Sequence, residues 1–140
     1  MNIFAFLTPK SEVSYLINNF TIRQALEKME FHHYSRIPVL NSKGDYVGDI
    51  TEGDLLWYIK NHNLDIKGCE STRINKIPQT RKLEKITINA SLEDLVNIII
   101  KQNYVPVVDD RNKFIGIITR TKVITYLLDK VDDLKKDQAS

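Results

Sequence analysis

The sequence has little cysteine: Cys69 is the one thiol in 140 residues. A single thiol cannot form an internal disulfide, so we expect a reducing compartment and a cytoplasmic location. An excess of charge of one sign is also lacking, because 20 basic and 18 acidic residues leave a formal net charge of +2. That balance argues against a nucleic-acid-binding surface, which is usually strongly basic.

Long apolar runs are absent as well. The first seven residues contain a short apolar patch, but no basic leader precedes it and Pro9 follows it closely. This pattern does not resemble a signal peptide, and no other segment is long enough to span a bilayer. We therefore expect a soluble chain with no membrane association.

The chain repeats itself. Residues 36–40 (RIPVL) resemble residues 104–108 (YVPVV), and residues 46–51 (YVGDIT) resemble residues 114–119 (FIGIIT). Both pairs are 68 residues apart, and identities at this offset join Pro38 to Pro106, Val39 to Val107, Gly48 to Gly116, Ile50 to Ile118, Thr51 to Thr119 and Tyr58 to Tyr126. Several identities at one offset indicate a duplicated structural unit.

Each repeat predicts the same order of elements: helix, strand, turn, strand, helix. Thr21 and Ser91 are typical N-cap residues, and each precedes apolar residues at helical spacing. The predicted strands cover residues 37–40, 46–50, 105–108 and 114–118, and segments 13–17 and 86–88 could each add a leading strand. The pattern favours an α+β fold built from two β-α-β-β-α units that pack on each other.

We divide the chain into four segments. These are residues 1–62, the first repeat with an N-terminal segment; 63–82, a polar linker; 83–130, the second repeat; and 131–140, a charged tail that either extends the last helix or is disordered.

The strands and the residues that follow them resemble the CBS domain family, whose tandem pairs are called Bateman modules. Two features carry the resemblance: Ile-Pro-Val at 37–39 with Val-Pro-Val at 105–107, and a Gly-x-x-Thr-x-x-Asp motif where a strand meets a helix. The motif residues are Gly48, Thr51 and Asp54 in the first repeat, and Gly116, Thr119 and Lys122 in the second. Lys122 departs from the family pattern, since it stands where the acid is expected.

The resemblance covers about residues 9–128 and implies a function. It implies two repeats related by a pseudo-two-fold axis, with clefts between them that bind an adenine nucleotide such as AMP, ADP, ATP or cyclic di-AMP. It also implies a homodimer. Because no effector domain accompanies the two repeats, we expect the output to pass through an effector protein, and the lack of matching motifs leads us to expect neither catalytic residues, metal nor cofactor.

By this resemblance, Thr51 contacts the ribose or phosphate and Asp54 accepts hydrogen bonds from the ribose hydroxyls. A carboxylate can accept two hydroxyl protons, and the amides of a helix N-terminus can bind a phosphate. The same two residues also fit a capping box, in which a threonine and an acid three residues later hold the helix start. Both roles can hold together.

Lys122 and Arg120 suggest that the second site differs from the first. Two cations at a helix N-terminus oppose the helix dipole, and a bound phosphate would relieve that repulsion. We therefore expect the first site to hold the nucleoside and the second site, with Thr119, to gather phosphates. The alternative is that Arg120 and Lys122 point into solvent.

The remaining candidate contacts follow from the same resemblance. The base is expected beside Ile37, Pro38, Val105 and Pro106, with Tyr104 stacked on it and Arg36 near a phosphate. The alternatives are ordinary core packing for the apolar residues and a surface position for Arg36.

Two other functional classes are weaker interpretations. A degenerate pair of repeats could act as a structural or interaction protein without nucleotide, and Lys122 favours that alternative. An enzyme is least favoured, because the sequence has no Ser/His/Asp or Cys/His arrangement and no glycine-rich phosphate loop. His32 and His33 are adjacent, so on a helix their side chains diverge, which argues against a shared metal.

Overall fold

The computed structural model describes residues 2–79 and 82–139. Its α-helices are α1 (Ile22–His32), α2 (Glu52–Asn61), α3 (Ile66–Ser71), α4 (Leu92–Ile99) and α5 (Arg120–Ala139). Its strands are β1 (Leu7–Pro9), β2 (Leu16–Ile17), β3 (Arg36–Leu40), β4 (Tyr46–Thr51), β5 (Ile86–Thr87), β6 (Tyr104–Val108) and β7 (Phe114–Thr119). The predicted mixed α+β class is confirmed.

The first of two compact units, here called the repeat-1 unit, comprises the described residues within 14–83 and 110–114. Its sheet has the order β2-β3-β4, with β2 parallel and β4 antiparallel to β3. The core combines the apolar face of α1 with sheet residues and α2: Ile22, Ala25, Met29, Ile37, Ile50 and Leu55 are among its buried members.

The repeat-2 unit comprises the described residues within 2–13, 84–109 and 115–139. Its sheet has the order β1-β7-β6-β5, with β1 antiparallel to β7 and β5 parallel to β6. Leu95 of α4, Val105 and Val107 of β6, Ile118 of β7 and Val123 of α5 are completely buried in its core.

The helix starts follow the sequence prediction. Thr21 and Ser91 are the N-cap residues of α1 and α4, and each forms a full capping box with the residue three positions later. Such a box satisfies two backbone donors that a helix start otherwise leaves without partners.

The two repeats share the same strand-to-helix junction. The amide of Glu52 donates to the carbonyl of Ser35 at 3.0 Å, and the amide of Arg120 donates to the carbonyl of Asn103 at 2.8 Å. Donors and acceptors are equivalent at the offset of 68 residues, so the duplication seen in the sequence extends to the backbone of the junction.

The N-terminal segment differs from its expected place in the first repeat. Strand β1 pairs with β7 of the repeat-2 unit, with Leu7 opposite Ile118. Ile3 and Phe6, 1% and 4% exposed, join the core of that unit. The partner of β1 lies far away in the sequence, so local pattern does not reveal it. Pro9 lacks a backbone donor, but it is tolerated in β1 because β1 is an edge strand.

The predicted linker is also more structured than its polar composition suggests. It contains α3 and a 3-10 turn at Ile74–Lys76, and Ile74 and Ile77 are buried in the repeat-1 core. Residues three apart in a 3-10 turn lie on the same side, so both isoleucines face the core. The predicted tail is helical through Ala139, as an extension of α5.

Across residues 2–79 and 82–139, every helix is too short or too polar to span a bilayer.

Candidate functional site

Thr51 and Asp54 form the junction between β4 and α2. The Oγ1 atom of Thr51 accepts a hydrogen bond from the amide of Asp54, and the carboxylate of Asp54 accepts one from the amide of Thr51, both at 2.9 Å. The structure therefore shows the helix-capping role of Thr51 and Asp54, which is one of the two roles predicted for them. Asp54 is only 7% exposed, so a ligand at this carboxylate would lie against the protein surface rather than in open solvent.

The antiparallel pairing of β3 with β4 places other candidates beside this junction. Arg36 is opposite Thr51 in the register, and Ile37 is opposite Ile50. Arg36 is half-buried, whereas Ile37 and Pro38 are buried. The structure therefore brings Arg36 next to the Thr51 cap, while the two apolar candidates lie within the sheet.

The second junction keeps the threonine but lacks the acid. The Oγ1 atom of Thr119 accepts from the amide of Lys122 at 3.3 Å, which is half of a capping box. The ammonium of Lys122 donates to the Oγ1 atom of Thr8 in β1 at 2.8 Å. Lys122 is exposed, yet its ammonium does not simply point into solvent.

Arg120 is likewise engaged within the repeat-2 unit. Its Nε atom donates to the carbonyl of Ile99 at 2.7 Å, at the C-terminal end of α4. A cation in that place is favoured by the partial negative charge of a helix C-terminus. The solvent-facing alternative is therefore wrong for Arg120, and the phosphate-gathering role of both cations stays a prediction.

The candidates of β6 are buried. Val105 is completely buried, Pro106 is buried, and Tyr104 is 9% exposed. That exposure leaves little of the Tyr104 ring for a base to stack on. Its backbone carbonyl accepts a hydrogen bond from the side-chain amide of Gln102 at 2.9 Å.

Sequence reasoning missed Asp49, a 1% exposed acid in the middle of β4. The hydroxyl of Tyr46 donates to its carboxylate. Burial, and after it the charge of Asp49, raises the pKa of Tyr46 above its usual value. The signal was present in the sequence, because Asp49 interrupts the apolar run of a strand whose second copy has Ile117 at the same position.

Asp49 lines a cavity within the repeat-1 unit of about 190 Å³. The walls combine aliphatic and amide side chains: Asn18, Val39, Val47, Ile50, Ile74, Asn75, Ile77 and Gln79. The residues contributed by 74–79 come from the segment expected to be a linker.

The sulfur and imidazole side chains do not assemble into a site. Among the described residues, no group of three or more His, Cys, Asp or Glu side chains is placed to hold a metal ion. Burial, with the charges of Asp65 and Glu70, raises the pKa of the Cys69 thiol, which lowers its nucleophilic thiolate fraction.

Comparison with known proteins agrees with the repeated junctions. The sequence model of the CBS domain matches residues 11–61 and again residues 74–129. The chain belongs to the CBS domain family.

A relative in Methanocaldococcus jannaschii, a protein without a described function, is 32% identical over 125 residues. The alignment covers 81% of this chain and 45% of the relative, so the CBS chain spans about half the length of that protein.

Solved CBS structures share the fold. The crystal structure of CbpB in complex with c-di-AMP has a TM-score of 0.89 and 23% identity, and the match covers 98% of this chain and 91% of CbpB. The crystal structure of CBSX2 in complex with AMP has a TM-score of 0.71 and 23% identity, and covers 91% and 96%. At these identities the likeness concerns the fold.

Proposed function

We propose that this chain is a regulatory module that senses an adenine nucleotide and passes the signal to a partner protein in the cytoplasm. The candidate ligands are AMP, ADP, ATP and cyclic di-AMP. The observation that carries the proposal is the β4–α2 junction, where Thr51, Asp54 and Arg36 lie together in a chain of the CBS family.

The chemistry of this junction suits a nucleoside. The Asp54 carboxylate has acceptor capacity for ribose hydroxyls, and the first turn of α2 presents backbone amides. Glu52 and Asp54 in that turn disfavour a phosphate directly at the helix start. Arg36, across the strand pair from Thr51, is the cation that the proposal assigns to a phosphate.

The other sequence candidates keep their proposed roles. Apolar contact with the base is assigned to Ile37, Pro38, Tyr104, Val105 and Pro106, and phosphate contact in the repeat-2 unit to Thr119, Arg120 and Lys122.

Proteins of the same fold support this class of ligand. CbpB was crystallised with c-di-AMP and CBSX2 with AMP. In the proposal this chain has no catalytic activity of its own. A ligand changes the conformational equilibrium of such a module only by its differential affinity for two states, so the output depends on the partner that distinguishes them.

Calorimetric titration of the purified chain with AMP, ADP, ATP and cyclic di-AMP tests the proposal, with GTP as the comparison nucleotide. A ligand present at 100 times its dissociation constant should raise the free energy of unfolding by about 2.7 kcal/mol, which a thermal-shift assay detects. If no adenine nucleotide gives heat or a thermal shift, the sensing function is excluded.

A second candidate function has one specific observation in its favour. Lys122 replaces the acid of the motif, and its ammonium already bonds Thr8, while Arg120 already bonds the Ile99 carbonyl. A junction whose polar groups are engaged within the protein suits a structural or interaction module that binds no nucleotide. The same titration distinguishes the two, because this candidate predicts no ligand in the panel.

The helices of the repeat-1 unit support a homodimer as part of the proposal. Leu26 of α1 and Leu56 and Trp57 of α2 are 39%, 57% and 54% exposed. A groove of about 870 Å³ lies between these helices. Aromatic side chains such as Trp57 are enriched at protein interfaces. Light scattering, which gives the mass of the particle in solution, tests for the dimer.

A further inference from the structure

A β-bulge in β4 brings the side chains of Tyr46 and Asp49 onto one face of the repeat-1 sheet. The register of β4 against β3 shifts between Val39 and Leu40, which leaves Val47 as an extra residue. In a regular strand, side chains three positions apart would point to opposite faces. With the bulge, the Tyr46 hydroxyl donates a hydrogen bond to the Asp49 carboxylate.

The face that carries Asp49 also carries Arg36 and Thr51. Thr51 follows Asp49 by two residues in β4, so the two side chains lie on the same face, roughly 6–7 Å apart along the strand. Arg36 is opposite Thr51 in the register, so Asp49 is its diagonal neighbour, about 7–8 Å away and within reach of a long side chain. Ile37 and Ile50 point to the other face, where they pack with α1 and α2. Asp49 therefore lies on the face of the proposed nucleotide junction.

The charge of Asp49 acts on its neighbours on this face. Asp49 is 1% exposed, and burial leaves little solvent to screen its carboxylate. Burial, and after it the charge of Asp49, raises the pKa of Tyr46, whereas the positive charge of Arg36 opposes that shift. Both charges act on the same hydroxyl, so the carboxylate and the guanidinium lie within electrostatic range of each other.

The second repeat lacks this set of side chains. Its three equivalent positions carry neither an acid nor a cation: Tyr104, Phe114 and Ile117, in the places of Arg36, Tyr46 and Asp49. Strand β7 forms with isoleucine in the place of the acid, so the fold does not require Asp49. A buried carboxylate costs free energy unless it is compensated. An acid that the fold does not need, beside the cation of the proposed junction, therefore points to a role in binding.

We propose that Asp49 is a specificity-determining residue that limits the nucleotide at this junction to one phosphate group per nucleoside, as in AMP or cyclic di-AMP. The inference rests on the proposed nucleotide-binding function. Arg36 compensates the charge of one phosphate, while the nearby Asp49 carboxylate repels the further phosphates of ADP and ATP. Glu52 and Asp54, in the first turn of α2, add charge of the same sign.

A titration series of adenosine, AMP, ADP and ATP without magnesium tests the inference, because its members differ only in the number of phosphates. The proposed function also assigns phosphate contacts to the repeat-2 unit, so the total heat of binding would combine two sites. The affinity is therefore read from the backbone amide resonances of Thr51 and Asp54, which belong to this junction. We expect the wild-type chain to bind AMP more tightly than ATP here.

Asp49→Asn removes the charge but keeps the size of the side chain and an oxygen that can accept from the Tyr46 hydroxyl. In this variant the affinity for ATP relative to AMP should rise roughly 3- to 30-fold, the effect of one unit charge about 10 Å from the additional phosphates in partly screened surroundings. Glu27→Gln is the matched control. It removes an equal charge from an exposed position of α1, on the helix side of the sheet, and should keep the wild-type ratio.

Two results would overturn the inference and leave nucleotide sensing intact. One is that the wild-type chain binds ATP at this junction as tightly as AMP or more tightly. The other is an unchanged ratio in a folded Asp49→Asn chain. The wild-type comparison needs no variant, so it decides the question even if Asp49→Asn does not fold. If neither this series nor cyclic di-AMP shifts the two resonances, the proposed function itself fails at this junction, and this inference with it.

Discussion

Replacing Asp54 by alanine separates the two roles of this acid, one in the helix cap and one at the ligand. The change removes the carboxylate that accepts the Thr51 amide at 2.9 Å. Loss of a cap contact costs roughly 0.5–2 kcal/mol, and loss of a negative charge at a helix start costs about 0.3–1 kcal/mol more. We therefore expect the free energy of unfolding to fall by about 1–3 kcal/mol, or the Tm by roughly 3–10 °C.

The second effect is on ligand affinity. A hydrogen bond to a charged group contributes roughly 1.5–3 kcal/mol, so losing a bond from a ribose hydroxyl should weaken nucleotide binding about 10- to 150-fold. The stability loss alone does not produce this effect, because a domain stable by about 5–15 kcal/mol remains folded after losing about 1–3 kcal/mol. Calorimetry on the folded variant measures the affinity, and urea denaturation measures the stability.

The chain provides a matched control in Asp94. This acid forms the same capping box with Ser91 at the start of α4, with bonds of 3.2 and 3.0 Å, and it is no candidate for ligand contact. Asp94→Ala removes the same cap contact and the same helix-start charge, so it should lower stability by about 1–3 kcal/mol and leave nucleotide affinity unchanged. If Asp54→Ala loses stability but keeps wild-type affinity, as the control does, Asp54 is a helix cap and no more.

Two further predictions concern stability. Gln102 is 9% exposed, accepts from the Glu84 amide at 3.0 Å and donates to the carbonyls of Glu84 at 2.8 Å and Tyr104 at 2.9 Å. Gln102→Leu should therefore lower the free energy of unfolding, measured by urea denaturation, by about 2–3 kcal/mol. Gln138→Leu, at an exposed position of α5, is the control and should change it by no more than about 0.5 kcal/mol. Equal effects of the two substitutions would contradict the structural role of Gln102. Hydrogen bonds from Lys113 and Asn41 lower the pKa of Asp45 below its ordinary value. The stabilisation that these two hydrogen bonds provide is complete above the pKa of Asp45 in the unfolded chain, and it is lost as the pH falls through the lower pKa of Asp45 in the folded chain. An NMR titration of the Asp45 carboxyl should therefore show a higher pKa in Lys113→Met than in the wild type.

The duplicated elements could be predicted because their signals are local. Thr21, Ser91 and Thr51 precede apolar residues at helical spacing, and all three cap helices in the structure. Hydrophobic period and cap chemistry act within a few residues, so a single sequence contains them in full. The 68-residue offset then identified the second junction from the first.

The places of the N-terminal and linker segments could not be predicted in the same way. Ile3 and Phe6 pack into the repeat-2 unit, and Ile74 and Ile77 pack into the repeat-1 unit. Each pair has a spacing of three, so the two segments resemble each other, but two apolar residues are too weak a signal to identify a repeat. The unit that each segment joins is decided by long-range packing that local pattern does not encode.

The polar groups of the candidate site show the same limit. Asp49 is conspicuous in the sequence as an acid in an apolar strand, but nothing near it indicates that Gln79, thirty residues later, lines the same cavity. The cavity that Asp49 and Gln79 share therefore became visible only with the fold.

The two strand-to-helix junctions differ in side-chain chemistry rather than in backbone hydrogen bonding. Equivalent bonds, from Glu52 to Ser35 and from Arg120 to Asn103, fix both strand-to-helix junctions in the same way. On that shared backbone, one helix start carries an acid that completes its cap, and the other carries Lys122, which reaches Thr8 instead. Since the backbone hydrogen bonds of the two junctions are alike, we expect a difference in ligand preference between the two helix starts to come from their side chains, Asp54 and Lys122 among them. Exchanging the residue at position 122 for an acid is therefore the change that should make the second junction behave like the first.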